Sequence, residues 1–320
     1  MDIITKKVSS DELGYPFFKT RDDEIPFWDH PFLKASKVLP KKYYPYTTQE
    51  GVIDLYRRGI LDENDITLLK VLGDAVCANE DQLRRYMISI MSRSDTSKRL
   101  DRFRTNGLVD RWKIRIHSDT EEIVKPPAPF TLGIAGFKLL KHYYSADFFM
   151  NPNLWDNYGV GGIKRYVAMN ELRCVMTEKK IAKKWKWNAV IADNPKLKFP
   201  MGAAELRVTD SMNINFMIDR AQMNQNFLGY FRDKLDCWKK VYEANDNRIP
   251  ITGFPDENES YVIIYTSTYT LAKYIHDNLM LDTYPFPIWL CVEEDLLKDG
   301  LNTSFYIPQK DKLQRIQLNF

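Results

Sequence analysis

Ser94-Asp-Thr-Ser-Lys-Arg-Leu-Asp-Arg-Phe-Arg-Thr-Asn-Gly107 has the spacing of a helix with two unlike sides. At about 100° per residue, Thr96, Leu100 and Phe103 fall together, and Ser94, Lys98, Arg102 and Thr105 fall opposite them. Asn106-Gly107 is a natural helix stop. The first side is suited to packing on other helices. The second offers hydroxyls and cations, the groups that reach base edges and phosphates in a major groove. Working outward, an apolar helix pattern precedes it at Ile66, Leu68, Leu69 and Leu72, and a shorter one at Leu83, Tyr86 and Met87. Strand-like stretches follow at 109–117 and 121–131, split by the turn-like Ser118-Asp119-Thr120. Phe130-Thr-Leu-Gly-Ile-Ala-Gly136 then leads into another helix over 137–144. Helices followed by a hairpin read as a winged helix-turn-helix, with a protein-docking use of that fold as the other option.

Charge supports the nucleic-acid option. From Arg93 to Arg115 the bases are Arg93, Lys98, Arg99, Arg102, Arg104, Arg111, Lys113 and Arg115, against the acids Asp95, Asp101 and Asp110. The whole 320-residue chain carries only +3, so positive charge is concentrated here. The expected contacts to duplex DNA are Ser94, Lys98, Arg102 and Thr105 at base edges and phosphates. Arg93, Arg99 and Arg104 would flank the backbone, and Lys113 and Arg115 would reach phosphate or the minor groove from the hairpin. One such module reads few base pairs, so a homodimer on a repeated or palindromic site is expected.

Composition bounds the rest. Hydrophobic residues at 44% and aromatics at 13% are enough for packed cores. No apolar run approaches the roughly 18–20 residues of a membrane span. The opening Met1-Asp-Ile-Ile-Thr-Lys-Lys carries no secretory h-region, so a cytoplasmic chain is expected. Cys77, Cys174, Cys237 and Cys291 form no CxxC pair and read as reduced thiols. His30, His117, His142 and His276 show no ligand spacing, so neither a metal nor a cofactor is expected. There is no GxxxxGK[ST] loop or GxSxG elbow, and Gly159-Val-Gly-Gly162 follows no strand.

The predicted organisation is an arm over 1–60, the winged helix over 61–145, a linker and connecting helix over 146–185, and an α/β domain over 186–320. In the arm, Pro alternates with aromatics, as in Tyr15-Pro-Phe-Phe and Ile25-Pro-Phe-Trp. Those prolines disfavour a long helix before Thr48, and the aromatics predict an extended segment wrapped on its own chain or on a partner. Residues 49–58 predict a short helix. In the connecting helix, Ile163, Val167, Leu172, Val175 and Met176 form an apolar stripe, with Lys179, Lys180, Lys183 and Lys184 near its end. Beyond it, strands are predicted at 203–208, 214–218, 261–266 and 287–292. Helices are predicted at 227–242, 270–280 and 293–298, an α+β chain overall with some parallel pairing.

Three segments carry a family resemblance. They are Phe130-Thr-Leu-Gly-Ile-Ala-Gly-Phe-Lys-Leu-Leu140, Arg165-Tyr-Val-Ala-Met-Asn-Glu-Leu-Arg173, and Phe216-Met-Ile-Asp-Arg220 followed by Lys234-Leu235. Over residues 63–310 their order resembles the plasmid replication-relaxation family, in which a winged helix and a connecting helix precede a PD-(D/E)XK nuclease-like domain. The resemblance implies a plasmid or mobile-element protein that regulates transcription, replication or conjugative transfer. It also implies an acidic pair near Pro200 and a Glu two residues before Asp219. Here Met201 and Met217 stand at those places, leaving Asp219, Arg220, Glu205 and Lys234. A phosphodiesterase needs carboxylates converging on a hard cation. The expected domain is therefore a catalytically inactive nuclease fold used for dimerisation or partner binding, with Asp219 and Lys234 as a buried or half-buried pair. The alternatives are a metal-dependent nuclease accessory to replication or transfer, and a non-catalytic adaptor docking a replication or transfer protein through the arm.

Overall fold

The computed structural model describes residues 18–116, 126–223 and 226–320. The chain is mixed α+β with two separate sheets. It divides into two compact units. One is Phe32–Cys174, and the other is Val175–Phe320 with arm residues 18–31. The predicted arm is thus shared between the units, and the predicted connecting region divides at Cys174.

The first unit runs β1 (Leu33–Val38), α1 (Gln49–Arg57), α2 (Glu63–Ala75), β2 (Cys77–Asn79), α3 (Glu80–Tyr86) and α4 (Arg93–Thr105). It continues with β3 (Val109–Ile116), β4 (Pro129–Leu132), α5 (Ile134–Tyr143) and, as far as Cys174, α6 (Trp155–Glu178), which kinks at Gly159. Local chemistry sets these starts. Asp62 and Asp65 form a reciprocal capping box at α2, and Asn79 and Gln82 form another at α3. Ser92 caps α4 through the Asp95 N–H. The sheet order is β1-β3-β4-β2, with every pairing antiparallel. Leu68, Leu69, Leu72, Leu83, Leu100, Phe103 and Phe130 share one buried core. The turn expected at Ser118–Thr120, and the strand residues expected at 117 and 121–125, lie outside the described residues.

Two features of this unit were not legible as such. Leu33–Val38 lies in the arm predicted to be extended and wrapped, and it forms a regular strand that pairs with residues 111–116 along its whole length. Farther along, Val76 takes φ 65, a left-handed conformation that is costly for a β-branched residue. The buried Asn170 amide of α6 donates to the carbonyls on both sides of it, Ala75 at 2.8 Å and Cys77 at 2.9 Å. Nearby, Glu171 receives Arg85 and Gln82, and Arg173 pairs with Asp74. The segment 165–173 is thus a clamp on α2 and α3. Asn170→Ala is expected to destabilise this unit by about 2 kcal/mol, because buried carbonyls lose a donor. Urea unfolding followed through this unit checks it, with Arg173→Ala, at a more exposed pair, expected to lose less.

The second unit carries β5 (Ala182–Trp187), β6 (Gly202–Arg207), β7 (Asn213–Arg220), α7 (Phe227–Ala244), β8 (Glu259–Thr266) and α8 (Tyr269–Leu279). After these come β9 (Ile288–Val292), α9 (Glu293–Asp299), β10 (Phe305–Gln309) and β11 (Lys312–Ile316). Its seven strands are ordered β11-β10-β9-β8-β7-β6-β5. The central β7, β8 and β9 are parallel and their flanks antiparallel. The apolar run in β8 lies between two parallel neighbours, as a strand covered on both faces should. Lys183 and Lys184 are not at a helix end. α6 stops at Glu178, Lys180 turns the chain with φ 58, and both lysines belong to β5.

Arm residues 18–31 pack on this second unit. Arg21 pairs with Asp295 and donates to Tyr306 at 2.9 Å, Thr270 donates to the Lys19 carbonyl at 2.7 Å, and Phe18 stacks on Tyr274. The four cysteines are free, and burial pushes the Cys77 thiol up and the Cys291 thiol up to about 12. Among the described residues, no helix is long and apolar enough to cross a membrane.

Candidate nucleic-acid interface

α4 presents the two sides that its spacing predicts. Thr96, Leu100 and Phe103 are buried, Ser94, Lys98 and Arg102 are exposed, and Thr105 is half-buried. Asp101 is exposed among the outward group and pairs with Arg104 at 3.0 Å. A carboxylate there can accept from a cytosine amino group, while the cations favour guanine or phosphate.

The remaining bases are more occupied than their spacing implied. Arg93 pairs with Asp81 of α3. Arg99 reaches Asp62 at 2.7 Å and also the buried Asp65, which receives Arg102 as well. Arg99 holds the Asp62 carboxyl below its usual range. One carboxylate at the start of α2 therefore caps that helix and fixes two arginines of α4. Arg104 is mostly buried and turned toward Asp101 and the Val38 carbonyl. Lys98 carries no ion pair among the described residues, and Arg102 is only half covered, so these two are the cations α4 leaves available. Sequence spacing could not reveal this, because Asp62 and Asp65 lie far from Arg99 along the chain.

β3 alternates sides. Trp112 and Ile114 are buried, with the Trp112 indole donating to Thr131 at 3.0 Å, whereas Lys113 and Arg115 are exposed. β1 lays Lys34 beside Arg115 and Ser36 beside Lys113. The short alternation Leu33-Lys34-Ala35-Ser36 was the available signal for this strand, masked by the proline-aromatic pattern around it.

In the second unit Lys234 reaches Asp219 at 2.7 Å, with the lysine 1% exposed, so the predicted buried pair is present. Asp219 also accepts from the Met201 N–H at 3.0 Å, and Tyr230 meets the Lys234 ammonium at 3.1 Å. Met201 directly precedes β6, and Met217, two residues before Asp219 in β7, is fully buried. Glu205 faces Asn215, four residues before Asp219 along β7, so their backbone positions are about 13 Å apart along the strand, and the Glu205 carboxylate turns farther away to accept from Asn213 at 3.1 Å. The two carboxylates cannot share one cation. Arg220 faces the other way, to Glu293 and the Tyr265 ring. Among the described residues, no group of three His, Cys, Asp or Glu side chains is placed to hold a metal ion.

No protein-family model, curated protein or solved structure matches the chain. The likeness to the plasmid family rests on the three quoted segments alone. The first forms β4 and the start of α5, the second the α6 clamp, and the third joins β7 to α7 through the Asp219–Lys234 pair.

Proposed function

We propose that the first unit is a winged helix-turn-helix and that the chain binds duplex DNA in a sequence-dependent way. α3 and α4 would form the helix-turn-helix, and α4 would enter the major groove. The observation that carries this reading is the outward side of α4, where Ser94, Lys98 and Arg102 stand exposed over a buried Thr96–Leu100–Phe103 side. The element order agrees with it: α2, α3 and α4, with the short β2 between the first two, are followed by strands β3 and β4 and then by α5. Read with the family resemblance, the protein would act on a plasmid or mobile element, as a regulator of transcription, replication or transfer, and as a dimer on paired half-sites. The second unit would be a nuclease-like fold whose acidic centre is filled by the Asp219–Lys234 pair, serving dimerisation or partner binding.

The test is selection from a genomic and plasmid fragment library, with the bound DNA sequenced and affinities measured across a salt series. An enriched site whose affinity falls steeply with salt is expected. Lys98→Ala, an exposed change that breaks no ion pair among the described residues, should weaken the enriched site about tenfold or more while leaving the fold intact. Wild-type protein that binds no duplex, or an enriched site indifferent to both Lys98→Ala and Arg102→Ala, would count against this reading.

A further inference from the structure

We propose that the outward face of the β1–β3 ladder is a second contact surface for duplex DNA, one that grips phosphates without reading sequence. This rests on the DNA-binding reading above and assigns a function to the arm, which supplies β1. The ladder pairs Leu33 with Ile116, Lys34 with Arg115, Ala35 with Ile114, Ser36 with Lys113, Lys37 with Trp112 and Val38 with Arg111. Side chains alternate across a strand, so one face carries Leu33, Ala35, Ile114, Ile116 and Trp112, with Lys37 at its end paired to Asp110 at 2.6 Å. That face is inward, since Leu33, Trp112 and Ile114 are buried and Trp112 meets the Trp155 ring. The other face carries Lys34, Ser36, Val38, Arg111, Lys113 and Arg115. Its ladder residues include four cations and, among the described residues, no carboxylate. None of the four is ion-paired among the described residues, in contrast to the arginines of α4.

The arrangement makes little sense as a stabilising device. Lys34 stands directly opposite Arg115, and like charges opposite one another on a ladder are destabilising. The register cannot slip to relieve this, because a one-residue shift would turn Trp112 and Ile114 outward. The repulsion is relieved when a polyanion lies across the face. Lys113 and Arg115 are two residues apart on one strand, about 7 Å, and Lys34 lies one strand over. Long cationic side chains in such a row can follow successive phosphates, with the arginines able to hold a phosphate through two N–H groups. A membrane-binding face would interleave aromatic or large aliphatic residues among the cations, and here only the half-buried Val38 does so.

The experiment uses the full chain, with Lys34→Gln/Arg115→Gln as the variant. Its affinity is measured for a random-sequence duplex and for an enriched fragment over a range of salt. The slope of log affinity against log salt should fall by about 2, one unit per lost phosphate contact. The preference for the enriched fragment over random duplex should stay the same. The melting temperature should be unchanged or higher, because a like-charge pair has been removed. An unchanged slope, in a protein whose DNA binding still responds to Lys98→Ala, overturns this inference and leaves the DNA-binding reading standing. Wild-type protein that binds no duplex overturns both. Binding to phosphatidylserine vesicles without binding to duplex assigns the face to membranes and also overturns it.

Discussion

Gly136→Ala is expected to destabilise the first unit by about 3–5 kcal/mol, at the severe end for a single methyl group. A Cβ at position 136 would sit 2.2 Å from the Leu108 carbonyl oxygen, and one at Gly133 would sit 2.2 Å from the Gly107 oxygen. The obstacle in both cases is backbone, which cannot swing aside as a side chain can. That backbone is also engaged. Gly133 N–H donates to Leu108 at 2.9 Å and Ala135 N–H donates to Gly107 at 3.1 Å, so the first turn of α5 is hydrogen-bonded onto the turn that ends α4. Relieving the clash would break those bonds and displace the C-terminal end of α4, which carries Arg102 and Thr105. The expected result is a large loss of stability in urea unfolding, together with loss of the duplex binding proposed for α4. Gly161→Ala is the control. Its added methyl meets nothing within 4 Å, and a helical Gly→Ala change is expected to be neutral or to stabilise by up to about 1 kcal/mol. Equal losses at the two positions would show that the close approach is not what requires Gly136.

The same glycines show where the sequence was informative. Leu-Gly-Ile-Ala-Gly was visible as a break between a strand and a helix, and β4 and α5 meet there. The buried side of α4 was visible because it obeys a local period, and the central strands β7, β8 and β9 because both faces are covered and the residues are continuously apolar. Elements that depend on distant partners were hidden. β1 has a sheet to join only because β3 lies beside it. β10 contains Pro308, which reads against a strand, yet its pairing with β9 ends at Tyr306 and β11 takes the rest. At the interface, spacing correctly separated the two sides of α4 but could not tell exposed cations from engaged ones. That distinction was decided by Asp65 and Asp81 on other helices, and it moved the unneutralised charge from Arg93, Arg99 and Arg104 toward Lys98 and the β1–β3 face.

Lys234→Met should be the most damaging substitution in the second unit, at about 3–5 kcal/mol, since it removes one partner of a buried ion pair. Methionine nearly matches the lysine in volume and would keep company with Phe231, Leu235 and Trp238 in the same core, so packing loss is small. What remains is the Asp219 carboxylate, 5% exposed and deprived of the ammonium at 2.7 Å, with the Met201 N–H still donating to it. The deficit should therefore be electrostatic, and two further measurements distinguish that from packing. It should shrink in acid, where Asp219 is neutralised, whereas a packing defect would not follow pH in this way. The double variant Asp219→Leu/Lys234→Met should recover most of the lost stability, because an ion pair exchanged for apolar groups of similar volume is often neutral or better. A double variant no more stable than Lys234→Met alone would mean that the pair is held for its hydrogen bonds to Met201 and Tyr230 and not for charge balance. Recovery would instead show that the unpaired Asp219 carboxylate is what destabilises Lys234→Met, and that the pair is held for charge balance.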